Sequence, residues 1–129
     1  MLGPGYDGHP ARKRALVIDD DRDCTALVGL VLRYEGYDVD LAYDGGKGLQ
    51  RAVEVPPDVV ILDIRMVGMD GWAVLERLRR VSAVPVVMMT ATPSAADERL
   101  SRRLGADDFI SKPFMPRDLA SRIARITAA

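Results

Sequence analysis

The 129-residue sequence has one cysteine, one histidine and few aromatic residues, which make up 5% of the chain. The single cysteine, Cys24, excludes a disulfide within the chain and is typical of a reducing, cytoplasmic compartment. The net charge is -1, so no excess of one sign indicates nucleic acid or a membrane surface as a direct partner. No apolar run approaches the roughly 18 to 20 residues that span a bilayer. The length and the 48% hydrophobic content instead fit one domain with a buried core.

The first twelve residues, MLGPGYDGHPAR, differ in composition from the rest of the chain. They are rich in glycine and proline and contain the only histidine, His9. The apolar run that follows them is too short for a secretory signal. We therefore predict a flexible leader at residues 1–12 and one folded domain at residues 13–129.

Short apolar runs alternate with amphipathic segments along the remaining chain. Five strands are predicted, at residues 15–19, 38–42, 59–63, 84–90 and 108–111. A helical pattern follows each strand, and in the first helix Leu27, Leu30, Val31 and Tyr34 share one face. Central runs such as VVIL and PVVMM do not alternate, as expected for strands that are covered on both faces. The order of elements predicts an α/β fold with helices on both faces of a parallel sheet.

Polar residues stand where four of these strands end. They are Asp19 and Asp20 after the first strand, Asp63 after the third, Thr90 after the fourth and Lys112 after the fifth. The carboxyl ends of parallel strands share one edge of the sheet, where ligands bind in such folds. Clustered carboxylates need a nearby cation, and carboxylates with water suit Mg²⁺. A carboxylate beside that metal could attack a phosphoryl group, while the hydroxyl and the ammonium stabilise charge on the transferring oxygens.

Four segments in order, VIDDD, DVVILDIRMVGMDGWAVLERLR, PVVMMTA and GADDFISKPF, resemble the receiver domain of bacterial two-component response regulators. The resemblance covers residues 14 to about 127 and implies a flavodoxin-like, doubly wound sheet of strand order 2-1-3-4-5 with five helices. It implies that Asp63 is the phosphoacceptor and that Mg²⁺ is bound by Asp19, Asp20, Asp63 and the backbone carbonyl of Arg65. It further implies that a phosphohistidine on a sensor histidine kinase or a histidine phosphotransfer protein is the donor.

The same resemblance implies a switch. Thr90 would be the switch hydroxyl, Phe109 the switch aromatic and Lys112 the phosphoryl-binding ammonium, followed by a cis peptide bond to Pro113. Phosphorylation would re-pack the surface formed by the fourth helix, the fifth strand and the fifth helix, through which a homodimer could form. Asp107 or Asp108 of a second copy could pair there with charged residues, namely Arg99, Arg102, Arg103, Arg117, Asp118, Arg122 and Arg125.

Two positions depart from the usual pattern of this family. Val67 stands where a proline is common, and the loss of its fixed φ predicts a looser loop beside Asp63. Phe109 replaces the commoner tyrosine and has no hydroxyl to keep in water, so its outward rotamer would expose only apolar surface.

Two other functions fit part of the sequence. LVIDDD also satisfies the Asp-x-Asp signature of haloacid-dehalogenase-like phosphatases, in which Asp19 would be the nucleophile. The chain is short for that fold, and ILDIRM would have no explanation there. An unphosphorylated receiver-like interaction module is the other alternative, which failure to bind Mg²⁺ would favour. The prediction we favour is a signalling phosphoacceptor that is no enzyme beyond its own phosphotransfer and dephosphorylation.

Overall fold

A computed structural model describes residues 12–128, so nearly all of the predicted leader, with His9, lies outside the described residues. The strands are β1 (Arg14–Ile18), β2 (Asp38–Ala42), β3 (Val59–Asp63), β4 (Val86–Thr90) and β5 (Asp108–Ser111). The helices are α1 (Arg22–Tyr34), α2 (Gly45–Glu54), α3 (Gly71–Arg79), α4 (Ala95–Arg103) and α5 (Pro116–Thr127). Within the described range, none of these helices has the length and apolar character needed to cross a bilayer.

All five strands are parallel and lie in the order β2-β1-β3-β4-β5, which confirms the predicted flavodoxin-like fold. Every residue of β3 and β4 is buried, because helices cover both faces of these central strands. The register aligns Ile18 with Leu62, Asp63 with Met89, and Thr90 with Ser111. The residues that follow β1, β3, β4 and β5 consequently meet at one edge of the sheet.

Successive residues along the strands belong alternately to two separate core layers, one on each face of the sheet. Leu62 and Met88 belong to the layer that includes Leu75 of α3, whereas Ile61 and Met89 belong to the layer that includes Ile123 of α5. Helices α2 and α3 therefore cover one face of the sheet, and α1 and α5 cover the other. Capping fixes where the helices begin, since side chains of Asp21, Asp44, Asp70 and Ser94 accept backbone N–H groups at the first turns of α1 to α4.

Helix α1 forms as predicted, but most of the residues that indicated it do not face the core. Its buried apolar side chains are those of Val28, Val31 and Leu32. Leu27, Leu30 and Tyr34 are 45%, 65% and 90% exposed. Of the four residues on the predicted face, only Val31 is buried, and the others leave an apolar stripe on the surface beside α5.

Candidate functional site

Three carboxylates lie together where β1 and β3 end. One oxygen each from Asp19, Asp20 and Asp63 lies within 4.8 Å of the others. Asp63 is the last residue of β3, and Asp19 directly follows β1, where its N–H donates to the carbonyl of Ala42 at 3.0 Å. Asp19 and Asp63 are buried, whereas Asp20 is exposed. The sheet register thus gathers the acids that the sequence places at separate strand ends.

The ammonium group of Lys112 contacts this cluster. Its Nζ lies 2.7 Å from Oδ2 of Asp19 and 3.5 Å from Oδ1 of Asp63. The N–H of Lys112 donates to the carbonyl of Thr90 at 2.8 Å, and the following peptide bond to Pro113 is cis, as the resemblance implied. Burial lowers the pKa of Lys112, but the hydrogen bond to Asp19 and the charges of Asp19 and Asp63 outweigh burial, so its pKa is raised. The ammonium therefore stays charged and is shared unequally between the two carboxylates.

The ammonium of Lys112 does not fully compensate the negative charge at Asp63. Burial, together with the neighbouring charge of Asp19, raises its pKa to about 7, although Lys112 acts in the opposite direction. A carboxylate in this state takes up a proton near neutral pH unless a further cation approaches it. Asp63 is therefore suited to bind a metal ion.

Asp19 has a different environment from Asp63. Its Oδ1 accepts the N–H of Asp21 at 3.0 Å, its Oδ2 binds Lys112, and the residue is fully buried. The half-buried thiol of Cys24 lies beside it, and burial together with Asp19 raises the pKa of this thiol to about 12. With both oxygens engaged, Asp19 is poorly placed to be the nucleophile that the phosphatase alternative requires. Cys24 itself is partly buried and packs against the core layer that includes α1 and α5.

The loop after Asp63 is tied to the acid cluster at the position of the unusual valine. The N–H of Val67 donates to Oδ2 of Asp20 at 3.1 Å, although the Val67 side chain is 89% exposed. A proline has no N–H and could not make this bond. The expected loosening of the loop is therefore offset by a hydrogen bond that only a non-proline residue can donate.

The two predicted switch residues lie on neighbouring strands. Thr90 is fully buried at the end of β4, and its Oγ1 accepts the N–H of Thr92 at 3.2 Å, which leaves the hydroxyl hydrogen available to another acceptor. Phe109 pairs with Met88 across β4 and β5 and is only partly buried. It also lines a surface cavity of about 400 Å³ next to Phe114. Phe109 thus lies between the core and a space open to solvent.

Asp97 and Trp72 were not singled out from the sequence, yet both contact Arg65. Nη2 of Arg65 lies 2.7 Å from Oδ2 of Asp97, and the guanidinium carbon lies 5.1 Å from the centre of the Trp72 ring. In the sequence Asp97 looks like an ordinary acid in the first turn of a helix that Ser94 caps. Only its burial, to 9% exposure, distinguishes it. The role predicted for the backbone carbonyl of Arg65 stays a prediction.

Acids that could pair with a second copy already bind arginines of the same chain. Asp108 is buried and lies 2.9 Å from Arg122, 3.0 Å from Arg125 and 3.7 Å from Arg102. Asp107 lies 3.2 Å from Arg79 of α3. These intrachain pairs weaken the charge argument for the predicted homodimer.

Comparison with known proteins identifies the family. The sequence model of one protein family, the response regulator receiver domain, matches residues 15–124. The chain belongs to this family. The DNA-binding response regulator MtrA of Mycobacterium tuberculosis is 43% identical over 112 residues, which are 87% of this chain and 49% of that protein. MtrA of Mycobacterium leprae is also 43% identical over 112 residues, which are 50% of that protein. The chain thus spans about half the length of these curated relatives.

Solved structures agree with this assignment. The chemotaxis protein CheY4 of Vibrio cholerae has a TM-score of 0.86 at 29% identity, covering 90% of this chain and 99% of that one. A CheY-like receiver domain protein from Methanospirillum hungatei has a TM-score of 0.85 at 30% identity, covering 91% of this chain and 94% of that one. The predicted response-regulator receiver domain is confirmed, and with it a role in signal transduction by phosphorylation. The phosphatase alternative is left without support.

Proposed function

We propose that Asp63 accepts a phosphoryl group from a phosphohistidine of a sensor histidine kinase or a histidine phosphotransfer protein. The observation that carries this proposal is the position of Asp63, a buried carboxylate 3.5 Å from Lys112 and beside two further acids. We place this function in a receiver domain at residues 13–129. Its cytoplasmic location stays a prediction.

The residues present fit a magnesium ion. Asp19, Asp20 and Asp63 offer oxygen ligands only, and the raised pKa of Asp63 means that Lys112 alone does not neutralise the cluster. We propose that these carboxylates and the backbone carbonyl of Arg65 hold Mg²⁺. Bound there, the ion supplies positive charge to the oxygens of the transferring phosphoryl group.

The side chains of the chain itself would act as follows. A carboxylate oxygen of Asp63 forms the bond to phosphorus while the nitrogen–phosphorus bond of the donor breaks and the imidazole leaves. Lys112 turns from Asp19 to a phosphoryl oxygen, and the Thr90 hydroxyl donates to another. Phe109 then fills the space beside Thr90, which changes the surface formed by α4, β5 and α5. Apart from this phosphotransfer and the later hydrolysis of the aspartyl phosphate, which releases inorganic phosphate, we propose no enzymatic activity.

Intact-protein mass after incubation with acetyl phosphate tests the acceptor residue. We expect the parent chain to gain one phosphoryl group in the presence of Mg²⁺ and none after chelation of the metal. Asp63→Asn should abolish the gain, because an amide oxygen is a far weaker nucleophile than a carboxylate. Asp23→Asn, the same change at an exposed residue near the site, is the matched control and should keep the gain. Phosphorylation that survives Asp63→Asn would overturn the assignment.

The apolar stripe on α1 is our candidate for the donor's docking surface. Leu27, Leu30 and Tyr34 border a groove of about 650 Å³ whose other wall includes Pro116 and Ala120 of α5. Helix α1 begins at Arg22, directly after the three aspartates, so a protein that brings a phosphohistidine to Asp63 would cover this helix as well. Exposed apolar patches of this kind mark protein interfaces. A second copy is the weaker candidate partner, through the surface formed by α4, β5 and α5.

Leu30→Glu should slow phosphotransfer from a phosphorylated kinase about tenfold or more, because it places a charge in an apolar contact. The rate with acetyl phosphate should stay at the parent value, since that small donor needs no docking surface. Val53→Glu on α2 is the control, because Val53 is 58% exposed on the opposite face of the sheet. Equal kinase rates for the two variants would exclude α1 as the docking surface.

A further inference from the structure

Arg65 links the loop after Asp63 to helix α4. Its Nη2 lies 2.7 Å from Oδ2 of Asp97, whose side chain is 12% exposed, whereas the Arg65 side chain is 53% exposed. The guanidinium also lies over the ring of Trp72, which in turn donates through Nε1 to Oγ of the fully buried Ser101 at 3.1 Å. A largely buried carboxylate in the first turn of α4 therefore has as its cationic partner an arginine two residues from the proposed phosphoacceptor.

The same loop makes a second contact with the candidate metal site. The N–H of Val67 donates to Oδ2 of Asp20, so the segment 64–67 contacts the acid cluster at one end and α4 through Arg65. A change in the charge of the cluster therefore acts on the segment 64–67, which also contacts α4. The segment 64–67 can therefore couple the acid cluster to α4, because a change at either contact alters the conformation of the same segment.

We propose that the Arg65 side chain exchanges partners, binding Asp97 when Asp63 is unmodified and the phosphoryl group when Asp63 is phosphorylated. This inference rests on the proposed function of Asp63. Two residues of extended chain span about 7 Å, a distance that an arginine side chain can cover by turning back along the loop. A phosphoryl group adds nearly two negative charges and oxygens that match the guanidinium fork. Asp97 offers only one carboxylate in competition.

The exchange has a consequence for α4. When Arg65 leaves, Asp97 stays largely buried without its cation, which is unfavourable, so the first turn of α4 must shift or admit water. Because Arg65 also leaves the ring of Trp72, the surroundings of this side chain change as well. Phosphorylation would in this way reach α4 by a route that does not pass through Thr90 or Phe109.

Beryllofluoride, a phosphoryl mimic, allows the exchange to be measured as a binding equilibrium with Mg²⁺ present. Asp97→Asn removes the competing charge and should raise beryllofluoride affinity about fivefold, whereas Arg65→Gln should lower it by a similar factor. The double variant should match Arg65→Gln, since without the arginine Asp97 has nothing to compete for. Fluorine NMR of the bound mimic gives the affinities, and Glu98→Gln, the same change one residue along α4, is the control.

Trp72 gives a direct second readout, because it is the only tryptophan in the chain. Its emission should change when beryllofluoride binds to the parent chain, and this change should be lost in Arg65→Gln. Equal beryllofluoride affinities for the parent and Asp97→Asn would overturn the exchange, even if Asp63 gains a phosphoryl group. Failure of the parent chain to gain that group from acetyl phosphate would overturn the proposed function and the exchange together.

Discussion

Gly71→Ala is expected to lower the free energy of unfolding by about 3 kcal/mol or more. A Cβ at this position would lie 2.1 Å from the backbone oxygen of Asp63 and 2.8 Å from Cα of Ile64. Both are backbone atoms, so no side-chain rotation can relieve the overlap. The N–H of Gly71 also donates to the carbonyl of Ile64 at 2.8 Å, which holds the start of α3 against the end of β3.

Urea unfolding followed by circular dichroism measures this effect, and Gly46→Ala is the control. A Cβ at Gly46 would make only an ordinary contact, 3.5 Å from Asp44, and alanine is the better helix former, so this variant should be slightly more stable than the parent. Because the overlap in Gly71→Ala would displace Asp63, phosphorylation by acetyl phosphate should slow as well. A loss of less than about 1 kcal/mol would show that the start of α3 can move away freely.

The fold could be predicted from the sequence because several local signals agree. Each central strand is a continuous apolar run, and a side-chain cap stands before four of the helices. In the edge strand β2 polar and apolar residues alternate. Its apolar residues Val39 and Leu41 pack into the core layer that includes α1 and α5. The strand order β2-β1-β3-β4-β5 was implied by the family resemblance and not by these local signals. Given that order, the parallel register gathers Asp19, Asp63 and Lys112 at one edge of the sheet.

The face that α1 turns to the sheet could not be predicted from the apolar pattern. Leu27, Leu30 and Tyr34 form one stripe, while Val28, Val31 and Leu32 form another, adjacent stripe. Both have helical spacing, and hydrophobicity alone does not say which of them meets the sheet. The exposed stripe became informative only when the structure showed it to be outside the core.

The contacts between side chains within the site also could not be predicted from the sequence. Lys112 lies closer to Asp19 than to Asp63, and Arg65 contacts Asp97 from 32 positions away in the chain. Which side chains pair depends on small differences in distance, such as 2.7 Å against 3.5 Å for the two contacts of Lys112. Strand order alone does not determine such differences. The bond from Val67 to Asp20 could not be predicted either, because the sequence argument considered the fixed φ that a proline would supply and not the N–H that a valine can donate.

Asp63→Asn should make the metal-free protein more stable at pH 8 by about 2 to 4 kcal/mol. Folding raises the pKa of Asp63 from 3.8 to about 7, mainly through burial and through the charge of Asp19. Between these two values the folded chain holds a proton that the unfolded chain has released, so stability falls as the pH rises through this window. Above it the folded protein bears the full cost of the charge, which asparagine does not carry.

Unfolding free energies measured from pH 4 to pH 8 in the presence of a chelator test this prediction. The advantage of Asp63→Asn should be small at pH 4, where the folded parent keeps its proton, and should grow through neutrality. Added Mg²⁺ at pH 8 should stabilise the parent more than the variant, because the cation offsets the charge that asparagine lacks. Asp23→Asn should show neither effect. An advantage that is the same at every pH would mean that Asp63 is not a destabilising charge, and the case for a metal at this edge of the sheet would lose its electrostatic basis.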